Sequence, residues 1–165
     1  MMSYNTLNST ETMNTQQLQQ EIIKTQYKLK KLQEQLEATK SFNIKTAPIG
    51  KTLPMGTVIE RYNNCVIVAA PESTVVRCTW SQGFKPVFDS LKNYGFIPSQ
   101  WYIPTKEELQ LAYRNCRDQF SSTCYWSSTK MSSVKAYRIT TYNGNAFGDD
   151  MNSYWWARAF RRVVF

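Results

Sequence analysis

The residues that could do chemistry gather in the second half of the chain. The stretch Trp126-Ser127-Ser128-Thr129 stands just before a run of alternating polar and apolar residues. A serine becomes a nucleophile when a base, most often histidine, lies within hydrogen-bond reach. None of the 165 residues is a histidine. No S-x-x-K stands in the strand–turn–helix setting that a Ser–Lys pair would need. The hydroxyls are therefore expected to tie down a tight turn by bonding the backbone, and no catalytic residue is expected.

The other reactive groups are weaker still. Cys65, Cys78, Cys116 and Cys124 contain no C-x-x-C, and there is no histidine to complete a mixed zinc site. The N-terminus, MMSYNTLNSTETMNTQQ, is polar and lacks the basic-then-apolar pattern of a secretory leader. Reduced, buried thiols are the expectation. Asp149-Asp150 could hint at calcium, but that ion takes six to eight oxygens and no D-x-D-x-D-G loop surrounds the pair. No metal and no cofactor is expected.

The net charge of +8 could serve a nucleic acid, an anionic glycan or an acidic protein lattice. The cations are scattered, except for Arg158, Arg161 and Arg162 near the end, and no zinc finger, basic zipper or aromatic RNA-binding signature accompanies them. Nucleic acid is not an expected partner. No apolar run approaches the roughly 18 residues of a membrane span, so membrane insertion is not expected either.

The elements that must position these residues follow from pattern. Length allows one compact domain and an accessory segment, and 14% aromatic residues supply a core rich in Trp, Tyr and Phe. Residues 1–14 are polar and unpatterned, a flexible or docking tail. Residues 15–40 are dense in Gln, Glu, Lys and Leu, without Gly or Pro. Ile22, Leu29 and Leu36 fall at heptad position a, and Leu18, Thr25 and Leu32 at d. That is a coiled-coil stalk, roughly 40 Å at 1.5 Å per residue. A parallel homotrimer is favoured and a dimer is next; the seam does not decide between them.

Residues 41–56, with two prolines and two glycines, read as a linker. Residues 57–165 form an α+β head. GTVIERYNNCVIVAAPE is hairpin chemistry and 73–80 offers another strand. KPVFDSLKNYGF is a short helix stopped by Gly95, and Thr105 with Glu108 forms a capping box for a second helix. Strands are expected at 134–141 and 154–164, with a tight turn at Asn143-Gly144.

WYIPTKEELQLAY (101–113), YWSST (125–129), VKAYRITTYNGNAF (134–147) and ARAFRRVVF (157–165), taken in this order, resemble one family. It is the domain found at the C-terminus of the Legionella collagen-like protein and in many bacterial and phage proteins. Tyr102 departs from its usual Arg, Arg161-Arg162 from its Arg-Pro, and LKNYGFIPSQ is extra.

The resemblance implies a C-type lectin-like fold for the head. It makes Trp-Ser-Ser-Thr a scaffold turn, and it places ligands on the late strands and their loops. Tyr142, Asn143, Asn145, Asn152, Tyr154 and Trp155 are the candidate ligand-binding residues there; turn chemistry and core packing would account for the same residues. The Glu-Pro-Asn or Trp-Asn-Asp of a calcium-dependent sugar site is absent. Formylglycine-type chemistry would need a reactive cysteine pair, and Cys116 and Cys124, at a helix end, match no such motif.

The expected function is a non-enzymatic virion structural protein, a bacteriophage short fibre or capsid decoration released by lysis. Its N-terminus would dock on a capsid or tail protein, and its head would adhere to a host-surface glycan or protein. A cellular adhesin, or the target of a diversity-generating element, is the alternative.

Overall fold

The computed structural model describes residues 15–165, leaving aside the side chains of residues 38–43. The docking tail expected at 1–14 lies outside the described residues. The chain is mixed α and β, and it divides into two compact units, one ending at Phe42 and the other spanning Asn43–Phe165.

Helix α1 spans Thr15–Thr46. Its residues are good helix formers, and no Gly or Pro interrupts them. Every side chain from 15 to 37 is exposed. The linker expected from residue 41 therefore begins later. Pro48 ends the helix, because its ring forces Ala47 out of the helical region, and the last turn belongs to the second unit. There Ile44 (0% exposed) and Ala47 pack with Val58, Val66 and Val68. The Arg61 guanidinium donates to the carbonyls of Ile44 (2.9 Å), Lys45 and Ala47, a cationic cap on the negative end of the helix.

The second unit holds two sheets. One runs in the order β1 (Thr52–Leu53), β2 (Gly56–Arg61), β3 (Cys65–Ala69), β9 (Phe160–Val164), all antiparallel. The other runs β4 (Val76–Thr79), β8 (Tyr154–Ala157), β5 (Cys124–Lys130), β6 (Lys135–Thr140), β7 (Ala146–Asp150). All its pairs are antiparallel except β5 with β8. Helix α2 (Lys85–Asn93) stops at Tyr94 and a left-handed Gly95, as expected, and α3 (Lys106–Cys116) starts at Thr105.

Burial explains why Cys65–Ala69 is continuously apolar rather than alternating. Val66 and Val68 face the end of α1, while Ile67 and Ala69 face α3 and the second sheet. A strand covered on both sides has no polar face to show. Close approach within the hairpin requires Gly56: at φ +131°, a Cβ there would sit 1.9 Å from the Ala69 carbonyl oxygen.

The single strand expected at 154–164 is two strands in different sheets. The chain crosses between them at Arg158 and Ala159, both buried, where Ala159 O accepts from Ala70 N at 2.8 Å. The strand expected at 73–80 is shortened because Pro71 leads into a 3-10 turn at Glu72–Thr74.

Candidate functional site

The Trp-Ser-Ser-Thr stretch is not a turn before a strand; it lies inside β5. Trp126 pairs with Arg138 and Lys130 with Ala136, so residues 127–129 bulge opposite Tyr137 alone. The hydroxyls answer the disturbed ladder. Ser127 Oγ donates to Tyr137 O at 2.8 Å and accepts from Thr129 N at 3.3 Å. Trp126 is fully buried, with its indole N–H on Cys78 O.

The bulge also receives the start of α3. Ser128 N donates to Pro104 O at 2.8 Å, and Lys106 N donates to Thr129 Oγ1 at 3.0 Å. Ser127 and Lys130 stand three apart but form no dyad, since Lys130 Nζ lies over the Trp80 ring, 5.2 Å from its centroid. These groups build a joint and leave no activated nucleophile among them.

The capping box is present in both directions: Glu108 N donates to Thr105 Oγ1 (3.2 Å) and Thr105 N donates to Glu108 Oε2 (3.0 Å). Glu108 also accepts from Tyr102 OH at 2.8 Å and pairs with Arg162 at 3.4 Å. Tyr102 and Arg162, far apart in sequence, thus meet on one carboxylate. Burial, and then that bond to Glu108, raise the Tyr102 phenol above its ordinary value.

Arg158, Arg161 and Arg162, close in sequence, do not form one surface. Arg158 is 2% exposed and pairs with Glu72 at 3.0 Å. It donates to Ala70 O and Gln119 O and lies over the Phe120 ring. It is a core strut, a role that sequence spacing does not announce.

The four thiols are free. Cys65, Cys78 and Cys116 are buried, and burial pushes Cys78 up to about 11 and raises Cys116. Cys124 is half-buried, 2.8 Å from Arg138 Nη1. Among the described residues no three His, Cys, Asp or Glu side chains group so as to hold a metal ion, and no helix is long and apolar enough to cross a membrane.

The six candidate ligand residues separate into two groups. Tyr142 (73% exposed), Asn143 and Asn145 occupy the β6–β7 turn, where Gly144 has φ +74° and a Cβ would sit 2.4 Å from the Tyr113 ring. Asn145 N donates to Asn143 Oδ1, and Tyr142 O accepts from Tyr113 OH at 3.5 Å. Asn152, Tyr154 and Trp155 lie beyond the other end of β7. Asn152 Oδ1 accepts from Ser81 Oγ at 2.9 Å. Trp155 and Trp156 are both half-buried, each against a different core cluster, as strand alternation requires.

Around Trp155 the structure assembles partners that the sequence pattern does not name. Arg138 lies between two rings, 4.6 Å from the Trp155 centroid and 5.4 Å from that of Phe147. Its Nε donates to Asp149 Oδ2 at 2.8 Å, and Trp155 Nε1 donates to the same oxygen at 2.9 Å. Ser153 Oγ and Asp150 N donate to Asp149 Oδ1. Burial alone would raise the Asp149 carboxyl, but the Arg138 bond, then the Asp150 amide, Trp155 and Ser153, hold it below the usual range. That carboxylate is committed to protein donors. The missed signal is cross-strand register, with Arg138 opposite Phe147 and Ala136 opposite Asp149. Pairing closes at Ile139–Ala146, so the loop is longer than two residues around Asn143-Gly144 would make it.

On the first unit, Leu18, Ile22, Leu29, Leu32 and Leu36 are 46–55% exposed. Leu18, Ile22, Thr25 and Leu29, with Glu21 and Gln26, line a shallow open recess of about 280 Å³. Thr25 Oγ1 donates to Glu21 O at 2.8 Å, which satisfies the hydroxyl within its own helix.

No protein-family model matches the chain, and no curated protein matches it.

Proposed function

We propose that the protein is a non-enzymatic virion structural protein, a bacteriophage short fibre or capsid decoration. In this reading α1 gathers copies into a parallel coiled coil, as a trimer or a dimer, and a C-type lectin-like head adheres to a host-surface glycan or protein. One observation carries the reading. Six heptad side chains, Leu18 to Leu36, stand exposed in a single stripe on a helix that buries none of its residues 15–37. Such a stripe gains its stability by burial against other copies.

One detail supports burial of the seam, and a second supports its parallel arrangement. The Thr25 hydroxyl is already bonded, so its methyl can enter a d layer without leaving an unpaired polar group. A fully overlapped antiparallel pair would bring Lys28 of two chains together at its centre, whereas the parallel register sets Glu21 and Lys28 beside Gln26 and Gln33. For the head, the support is the residue order quoted above together with the interlocking of its motifs at Pro104, Thr105 and residues 127–129.

Gold-labelled antibody on particles from the source lysate tests the assignment. Label over the capsid makes the protein a decoration or head fibre, and label at the tail tip makes it a receptor-binding fibre. Particles without label overturn the virion reading and favour a cellular adhesin. Sedimentation of the intact protein beside a version starting at Ser41 tests the stalk, and a monomer in both would sink the fibre reading.

A further inference from the structure

We infer that the outer face of α1, centred on Ile23 and Tyr27, docks an acidic protein segment that carries apolar side chains. The inference rests on the coiled-coil reading of α1, which covers the opposite side, and gives that helix a partner of stated chemistry.

The heptad that sets Ile22 and Leu29 at a, and Leu18, Thr25 and Leu32 at d, sets Ile23 at b and Tyr27 at f, on the far side of the helix. Polar residues ordinarily fill that side. Ile23 is 65% exposed and Tyr27 66%, more than any of the seam residues Leu18, Ile22, Leu29, Leu32 and Leu36. Four residues apart, the two lie one above the other and form a single apolar patch rather than two scattered side chains. Association through a and d leaves that patch uncovered.

Charge selects the occupant. The neighbours of Tyr27 at three and four residues are Ile23, Lys24, Lys30 and Lys31. Lys31 Nζ lies 5.9 Å from the Tyr27 ring centroid, and Lys24 meets Glu21 only in an exposed pair at 3.4 Å. Between Glu21 and Glu34 stand four lysines and no acidic residue, so the two bounding glutamates leave the face net positive. A carboxylate-bearing partner complements that charge, and its apolar side chains complement the patch. Nucleic acid fits less well. Residues 15–37 hold no arginine, the side chain suited to planar phosphate recognition, and a phosphate backbone has nothing to cover Ile23. A lipid surface needs a wider apolar face than two side chains set among Gln16, Gln20 and lysines.

The test measures binding of the intact protein to a random copolymer of Glu and Tyr, to heparin, and to phosphatidylserine vesicles. Three variants run beside it. One is Tyr27→Ala, and one combines Lys24→Gln, Lys30→Gln and Lys31→Gln. The third is a charge-matched control in the second unit, combining Lys51→Gln, Lys92→Gln and Lys135→Gln. Circular dichroism and sedimentation check helix content and oligomeric state. The expected result is copolymer binding that weakens with salt and falls at least tenfold in Tyr27→Ala and in the α1 lysine variant. The control is expected to bind like the intact protein, and all four proteins to sediment alike.

Absence of copolymer binding overturns the inference, as does binding that survives Tyr27→Ala or falls equally in the control. Heparin or vesicle binding with the same dependence on Tyr27 overturns it too, and hands the face to a polyanion or a lipid. A Tyr27→Ala protein that sediments as a monomer makes the face part of the seam, which also overturns the inference. An intact protein that is itself monomeric removes the coiled-coil reading, while the variants still decide the docking face.

Discussion

The two units differ in where their apolar pattern finds an answer. In residues 15–37 of α1, leucines recur with heptad spacing and all stay near half-exposed. In the second unit Val58, Ile59, Val66, Val68, Val87 and Leu91 are at 0% exposure, each against partners from the same unit. The helix carries a pattern for burial that its own residues leave open, and the head carries one that its own chain completes. Helix formation and packing are thus separable: backbone propensity sets the first in α1, and residues 15–37 leave the second open.

The sharpest way to break that contrast is to remove a strut of the second unit and ask whether α1 notices. Arg158→Ala leaves Glu72 without its ion pair and strips bonds from Ala70 and Gln119 at the sheet crossover. Glu72 is 48% exposed and keeps its bond from Ser121, so the loss comes from the buried carbonyls left unpaired, about 1–3 kcal/mol each. Urea unfolding followed by tryptophan fluorescence should show that loss, since all five tryptophans lie in the head, while α1 self-association is expected to persist. An unchanged urea midpoint would mean that Arg158 is not the strut its contacts describe.

The converse experiment is Leu29→Ser. A buried leucine contributes about 1.5–3 kcal/mol per chain. Sedimentation velocity is expected to move from oligomer toward monomer, with the urea midpoint of the head unmoved. A lowered midpoint would show that the seam leans on the head and would erase the distinction between the units.

The head's elements were legible where local chemistry decides them. Thr105 and Glu108 announce α3, Gly95 announces the end of α2, and Tyr62-Asn63-Asn64 announces the first hairpin. Long-range choices were not legible. Nothing within residues 154–164 says that the strand must break at Arg158, because the reason is Ala70, far back in the chain. The site was legible only in part. Trp155 was named through the resemblance, but Arg138 and Phe147 become neighbours through a register that the β6–β7 loop sets. Likewise Trp-Ser-Ser-Thr looked like a turn because its hydroxyls do satisfy backbone, yet they do so within a bulged strand.

A smaller effect sharpens the local side of the comparison. Thr105→Ala removes the acceptor for Glu108 N at the start of α3. Loss of such a cap costs about 1 kcal/mol. Glu108 still holds Tyr102 and Arg162, so the damage should stay at the helix end. Hydrogen exchange is expected to quicken in the first turn of α3 and nowhere in α1. Protection lost across the whole head would mean that the cap is a folding determinant rather than a local one.

The smallest predicted effect uses protons to separate the units. The a and d positions of α1 hold no titratable side chain, whereas the head depends on Asp149, whose carboxyl lies below its ordinary value. A carboxyl lowered on folding contributes stability that is fully present above its unfolded value, about 3.9, and is lost as pH falls through the folded value. The stability gap between the intact protein and Asp149→Asn should therefore be constant from pH 7 to about pH 5. It should close below about pH 4, where the intact protein surrenders what the variant never had. Urea midpoints at stepped pH measure that gap. A gap that does not narrow anywhere below about pH 4 would show that the Asn substitution acts through shape, and the charge pair with Arg138 would lose its claim to hold the edge of the sheet.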